Sequence, residues 1–186
     1  VAARILEHHV RGQPFHRVRV CAMNDDLQSP SPAEVTSPPL ETSPEARELK
    51  IKGLHHITCI CSNMDRTVSF YRDLLGMTLL KQSTNDDDPT ARHFYFGDPE
   101  ASPGSMVTFL EYANMEPGQV GVGIVHHFAL RADSLDELDA WHKHLKEHGV
   151  QSTEPINRTY FSSIYFRDPD GNIIEIATDG PGLIVD

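Results

Sequence analysis

Two histidines, each within a repeated segment, and one glutamate are the residues of this 186-residue chain best suited to chemistry. Leu54-His55-His56-Ile57-Thr58 returns in the second half as Val125-His126-His127-Phe128-Ala129. Both segments read as strands, and side chains alternate between the two faces of a strand. His56, Thr58 and Ile60 then share one face, with Ile57 and Cys59 on the other. His127, Ala129 and Arg131 share the equivalent face of the second segment. The bulkier apolar set is expected to meet a helix, which turns His56 and His127 towards a cavity. Glu175 sits inside the apolar run Ile173-Ile174-Glu175-Ile176-Ala177, and a carboxylate there is costly to bury without a partner. Two inward imidazoles at symmetric positions and one buried carboxylate make a metal site of the 2-His-1-carboxylate type, with positions left open for substrate and oxygen. Thr108 stands in the first half where Glu175 stands in the second, and threonine is a poor metal ligand.

Other chemical groups have simpler explanations. His144 and His148 have the i,i+4 spacing of helical metal ligands, yet lie beside Lys143 and Glu147 on what reads as a solvated face. Asp86-Asp87-Asp88 reads as a solvated loop, and Cys59 and Cys61 as small core residues. Tyr95 and Tyr165 occupy matching places in the two halves, and packing is an equal reading of Tyr95. The sequence contains neither a Gly-rich phosphate loop nor a GxSxG nucleophile motif.

These residues are positioned by a repeat. After the first doublet, Met64, Val68, Tyr71 and Leu75 are spaced for one face of a helix over Asn63–Leu75 that ends at Gly76. After the second, Ser134-Leu-Asp-Glu137 reads as a capping box, with Leu135, Leu138, Trp141 and Leu145 inward and Gly149 at the C-terminal end. His93-Phe-Tyr-Phe-Gly-Asp-Pro99 matches Ser163-Ile-Tyr-Phe-Arg-Asp-Pro169, and Ser105–Tyr112 matches Asn172–Thr178. Each half therefore reads strand-helix-strand-strand-strand. The expected fold is α+β: two βαβββ modules, over residues 53–112 and 123–179, forming a partly open barrel around a metal site.

The stretch before the repeat is different. Five of the thirteen prolines fall within 29–46, and this segment is rich in Ser, Thr and Glu. Such a composition cannot offset its ordering entropy. Residues 1–49 are expected to be a disordered Pro-rich leader, with Met23 a candidate true start, and residues 50–186 the folded domain. The formal charge of −11, from 16 Lys+Arg against 27 Asp+Glu, excludes a phosphate-neutralising nucleic-acid binder as the default. No apolar run approaches the roughly 18 residues of a membrane helix. Three cysteines are too few for a disulfide framework, so a cytoplasmic protein with reduced thiols is expected.

Residues 53–183 resemble the vicinal oxygen chelate superfamily, which builds paired strand-helix-three-strand modules around a metal. Within it, LHHITCI, NDDDPTARHFYFGDPEASPGSMVTF, VHHFAL and RTYFSSIYFRDPDGNIIEIATDGPG resemble the hydroquinone ring-cleaving dioxygenases. Those relatives have four modules, and this chain has two. The resemblance implies Fe(II), or alternatively Mn(II), held by His56, His127 and Glu175. It implies acid–base and orienting roles for His55, Arg158 and Tyr165. The implied activity is extradiol-type cleavage of a hydroquinone or catechol by O2, in a homodimer. Two other functions fit the same scaffold. One is a metal-dependent lyase or isomerase of the glyoxalase or epimerase kind, for which Glu111 is a nearby carboxylate. The other is a non-catalytic antibiotic-sequestering module.

Overall fold

A computed structural model describes residues 50–184, of which 51–184 lie in one unit. The expected leader and the candidate start at Met23 lie outside the described residues.

The first module runs β1 (His56–Cys61), α1 (Met64–Val68), a π-helical turn (Ser69–Leu74), β2 (Thr78–Thr84), β3 (Arg92–Gly97) and β4 (Met106–Glu111). The second runs β5 (Phe128–Ala132), α2 (Leu135–Glu147), β6 (Ile156–Asn157), β7 (Ser162–Arg167) and β8 (Ile173–Thr178). Each forms a four-stranded sheet, in the orders β1-β4-β3-β2 and β5-β8-β7-β6. The outer pairs β1·β4 and β5·β8 are parallel and the others antiparallel. This is the expected α+β architecture of two βαβββ modules.

Local chemistry sets the helix ends. The Asn63 side chain accepts from the Arg66 N–H at 2.9 Å and so caps α1. Gly76, at φ +72°, closes the turn that follows, in a conformation other residues adopt only under strain. At α2 the Ser134 hydroxyl accepts from the Glu137 N–H at 3.2 Å. Glu137 reaches back to the Asp133 N–H at 2.7 Å rather than to that of Ser134, so the box closes one residue early. Leu138 and Leu145 are fully buried on the inner face of α2, whereas Leu135 is 59% exposed and does not belong to it.

The core lies on the helix side of both sheets. Ile57, Cys59, Phe94, Phe96, Val107 and Phe109 of the first module join Phe128, Ile164, Phe166, Ile174 and Ile176 of the second in one apolar cluster with the helices. Phe70 stacks toward Phe166, with ring centres 6.3 Å apart. The Tyr71 hydroxyl donates to Asp168 Oδ2 at 3.0 Å. His144 Nε2 meets the Leu74 carbonyl at 3.0 Å, so this imidazole joins the two modules instead of lying in solvent. Cys59 and Cys61 are free thiols in this core, and burial pushes the Cys59 thiol up to about 12.

The modules thus share their helix sides, which leaves each sheet's other face open. His56, Thr58 and Ile60 are exposed on one open face, and Ala129 and Arg131 on the other. The two sheets do not close into a barrel within one chain. No described helix is long and apolar enough to cross a membrane.

Candidate metal centre

The open face of the second module gathers most of the expected site. The parallel pairing of β5 with β8 sets Ala129 opposite Glu175, and the antiparallel pairing of β7 with β8 sets Tyr165 opposite Glu175. His127, one residue before β5, turns its Nε2 to within 2.9 Å of Glu175 Oε2. Glu175 is only 3% exposed, as its apolar strand foretold, and its partners are now visible. Its second oxygen, Oε1, accepts from the Tyr165 hydroxyl at 2.6 Å. The Tyr165 ring stands edge-on to that of His127, with centres 5.6 Å apart. The Arg158 guanidinium lies 5.3 Å from the centre of the Tyr165 ring, a cation–π arrangement. Ser163 shares this face, is fully buried, and its hydroxyl has no partner in the structure.

His56 stands elsewhere. It occupies the same place on the first sheet that His127 occupies on the second, and it is exposed. Among the described residues no three His, Cys, Asp or Glu side chains lie close enough to share one ion. The structure brings together His127, Glu175, Tyr165 and Arg158, and leaves His56, with His55 beside it, on the first module. The clefts beside His142 and Glu154, and beside Thr90 and Tyr112, contain none of these residues.

Both doublets have the same internal geometry. His55 Nδ1 lies 2.9 Å from His56 Nδ1, and His126 Nδ1 lies 2.8 Å from His127 Nδ1. In each pair the preceding imidazole engages Nδ1 of the next and leaves Nε2 out of that bond; in His127 this is the nitrogen that faces Glu175. A hydrogen bond to the far nitrogen is how metal-binding imidazoles are oriented and their tautomer fixed. His126 was not singled out from the sequence, although the repetition of the whole doublet, rather than of one histidine, was its signal.

The donor types suit a divalent first-row metal: an imidazole nitrogen and a carboxylate converge on one point, and a second imidazole is oriented alike on the other sheet. Glu111, the other carboxylate near this scaffold, is already engaged. It takes Arg92 in two bonds of 2.6 and 2.7 Å and accepts from the Met64 N–H at 2.8 Å. The Arg92 guanidinium holds its carboxyl below the ordinary value, against the opposing effect of burial.

Two βαβββ modules of this topology have the fold of the vicinal oxygen chelate kind. Residues 53–176 match the Glyoxalase/Bleomycin resistance protein/Dioxygenase superfamily, and the chain belongs to it. It is 34% identical over 130 residues to a Bacillus subtilis (strain 168) protein named "Putative ring-cleaving dioxygenase MhqO", covering 68% of this chain and 40% of that one. It is 31% identical over 130 residues to the metallothiol transferase FosB of Staphylococcus haemolyticus (strain JCSC1435), covering 69% of this chain and 84% of FosB. A crystal structure of a dioxygenase-named protein from Bacillus subtilis subsp. subtilis str. 168 superposes with a TM-score of 0.64 at 34% identity, over 68% of this chain and 40% of that one. The chain therefore spans about two fifths of the length of the ring-cleaving relatives it matches.

Proposed function

We propose that this chain is a metal-dependent ring-cleaving dioxygenase that acts on a hydroquinone or catechol with Fe(II), Mn(II) being the alternative metal. The observation that carries the reading is the convergence of an imidazole Nε2, a buried carboxylate, a phenol hydroxyl and a guanidinium on one open face. His127 and Glu175 would hold the metal together with His56. When bound, the metal supplies a Lewis-acidic centre that acidifies a substrate hydroxyl and a template for ring and O2. The Tyr165 hydroxyl fixes the orientation of Glu175 and is placed to hold or return a proton at the second substrate hydroxyl. Arg158, over the Tyr165 ring, favours an ionised substrate oxygen beside it. His55 engages Nδ1 of His56 and so leaves Nε2 for the metal.

The working unit in this reading is a homodimer. His56 lies on one open face and the His127–Glu175 pair on the other, and the modules' helix sides are committed to a common core. A second copy supplies what one chain lacks: its first-module face covers the second-module face, and its His56 completes the ligand set. Twofold symmetry makes two such sites.

The test is anaerobic loading with Fe(II), metal analysis, and then oxygen uptake with a panel of hydroquinones and catechols. Oxygen consumption that matches loss of the aromatic absorbance is expected. A fully loaded protein that consumes no oxygen with any member of the panel would overturn the reading.

The length match to FosB, 84% of that protein, favours a second reading: a two-module metal enzyme that transfers a thiol to an electrophile. Thiol consumption without oxygen uptake would select it.

A further inference from the structure

The open face of the first module carries a chain of polar groups that the metal ligands leave unused. Strand register sets Thr58 opposite Thr108, and Thr108 opposite Tyr95. In the second module the same row reads Ala129, Glu175 and Tyr165. Tyr165 directs its hydroxyl to Glu175, but Tyr95 has only Thr108 opposite and turns to His93. Tyr95 Oη lies 3.1 Å from His93 Nδ1, with ring centres 4.3 Å apart. His93 Nε2 lies 3.1 Å from Thr108 Oγ1, which in turn meets Thr58 Oγ1 at 2.9 Å. Thr108 is fully buried and Thr58 is exposed. Tyr95 is therefore a hydrogen-bonded member of a network, not simply packing.

The network leads somewhere. Its exposed end, Thr58, lies two residues from His56 on the same face of β1, roughly 7 Å along the strand. A substrate seated at His56 would lie over the Thr58 hydroxyl. Hydroxyls give or take a hydrogen bond by rotating, so the chain can run in either direction. Burial foremost, with the Lys81 charge on β2 adding to it and Asp86 in the loop after β2 opposing, pushes His93 below the ordinary histidine value. Thr108 on β4 is a neutral hydroxyl and brings no charge. The imidazole is then neutral and has one nitrogen free of a proton.

We propose that Thr58, Thr108 and His93 form a proton relay for a hydroxylated substrate, with His93 the positioning residue that receives the proton. The proposal rests on the ring-cleaving reading and names how that site removes the substrate's proton. The substrate O–H breaks and its proton passes to Thr58 Oγ1. The Thr58 proton passes to Thr108 Oγ1, and the Thr108 proton to His93 Nε2. The products are an ionised substrate oxygen and an imidazolium whose Nδ1–H donates to Tyr95 Oη. No electrons are transferred.

The experiment is calorimetry of anaerobic hydroquinone binding to the Fe(II)-loaded protein at neutral pH, in buffers of different ionisation enthalpy. If His93 takes the proton, the wild type releases none to the buffer, whereas His93→Gln, which places a polar amide near the Nε2 position but cannot titrate, releases about one proton per site. The same proton count for both proteins would overturn the relay and leave the dioxygenase reading intact. Hydroquinone that fails to bind the wild type would overturn that reading, and the relay with it. Imidazole ¹⁵N spectra of the wild type check the relay without any variant. The His93 signals should move from neutral to imidazolium on binding, and unmoved signals would overturn the proposal.

Discussion

The Tyr165 hydroxyl donates to Glu175 Oε1 at 2.6 Å, while His127 Nε2 holds the other oxygen of the same carboxylate at 2.9 Å. One buried carboxylate is thereby gripped from both sides. Tyr165→Phe keeps the ring and removes one grip. Turnover is expected to fall on the order of 10²–10⁴-fold, and metal affinity by no more than about 10–100-fold. Tyr95→Phe should leave metal affinity unchanged, because the Tyr95 hydroxyl is bonded to His93 and not to a carboxylate. Metal titration followed by steady-state kinetics on both variants separates the two effects. Equal metal affinity in all three proteins would show that Tyr165 does not support Glu175.

The Tyr71–Asp168 bond joins residues 97 positions apart and ties the first module's helical turn to the second module's β7–β8 turn. Asp168 also accepts from the N–H groups of Asp170 and Asn172 and from the Asn172 side chain. Tyr71→Phe leaves one oxygen of a buried carboxylate short of a donor, and the expected loss is about 1–3 kcal/mol. Denaturant unfolding of the variant and the wild type measures it directly. Metal affinity should not change, because Tyr71 lies on the core side of the sheets.

Glu111 supplies a pH dependence whose sign is fixed. Its folded carboxyl is held below the ordinary value of 4.5, first by the Arg92 hydrogen bonds. The stabilisation is therefore present above that ordinary value and is lost as pH falls through the lower folded value. Glu111→Gln should be less stable than the wild type at neutral pH, and the gap should narrow as the pH is lowered below the ordinary carboxylate value of 4.5. Unfolding curves over that range test it, and a gap that widens on acidification would contradict the assignment.

The sequence made the two modules legible because strand alternation and helical spacing are local properties. His56, Thr58 and Ile60 do share a face, and so do Tyr165 and Glu175. Alternation says which residues lie together but not which face meets the other module. The helix sides meet, through Tyr71, Phe70 and His144, and none of these contacts has a local signature. The cavity expected between the halves of one chain therefore becomes two open faces. His144 was misread for the same reason: its neighbours on the helix are charged, but its partner is a carbonyl 70 positions away. The polar chain from Thr58 to Tyr95 could not be read either, because it runs across three strands.

Whether one copy or two make the site can be decided by mixing inactive variants. His56→Ala removes a ligand from the first-module face, and His127→Ala one from the second. Each alone should fold, because the core is formed by the opposite sheet faces and the helices. Each alone should also lose metal affinity by far more than the 10–100-fold of a supporting residue. In a dimer whose sites each combine His56 of one copy with His127 and Glu175 of the other, a mixed pair has one site with both substitutions and one with neither. Random exchange makes about half the dimers mixed, so the mixture should regain about a quarter of the wild-type activity and metal occupancy. Sites built within one chain would regain nothing, since every chain in the mixture lacks a ligand. Occupancy can be read without turnover, by metal analysis after desalting. No recovery of metal after subunit exchange, with mixed dimers demonstrated by a size tag on one variant, would place the whole site in a single copy.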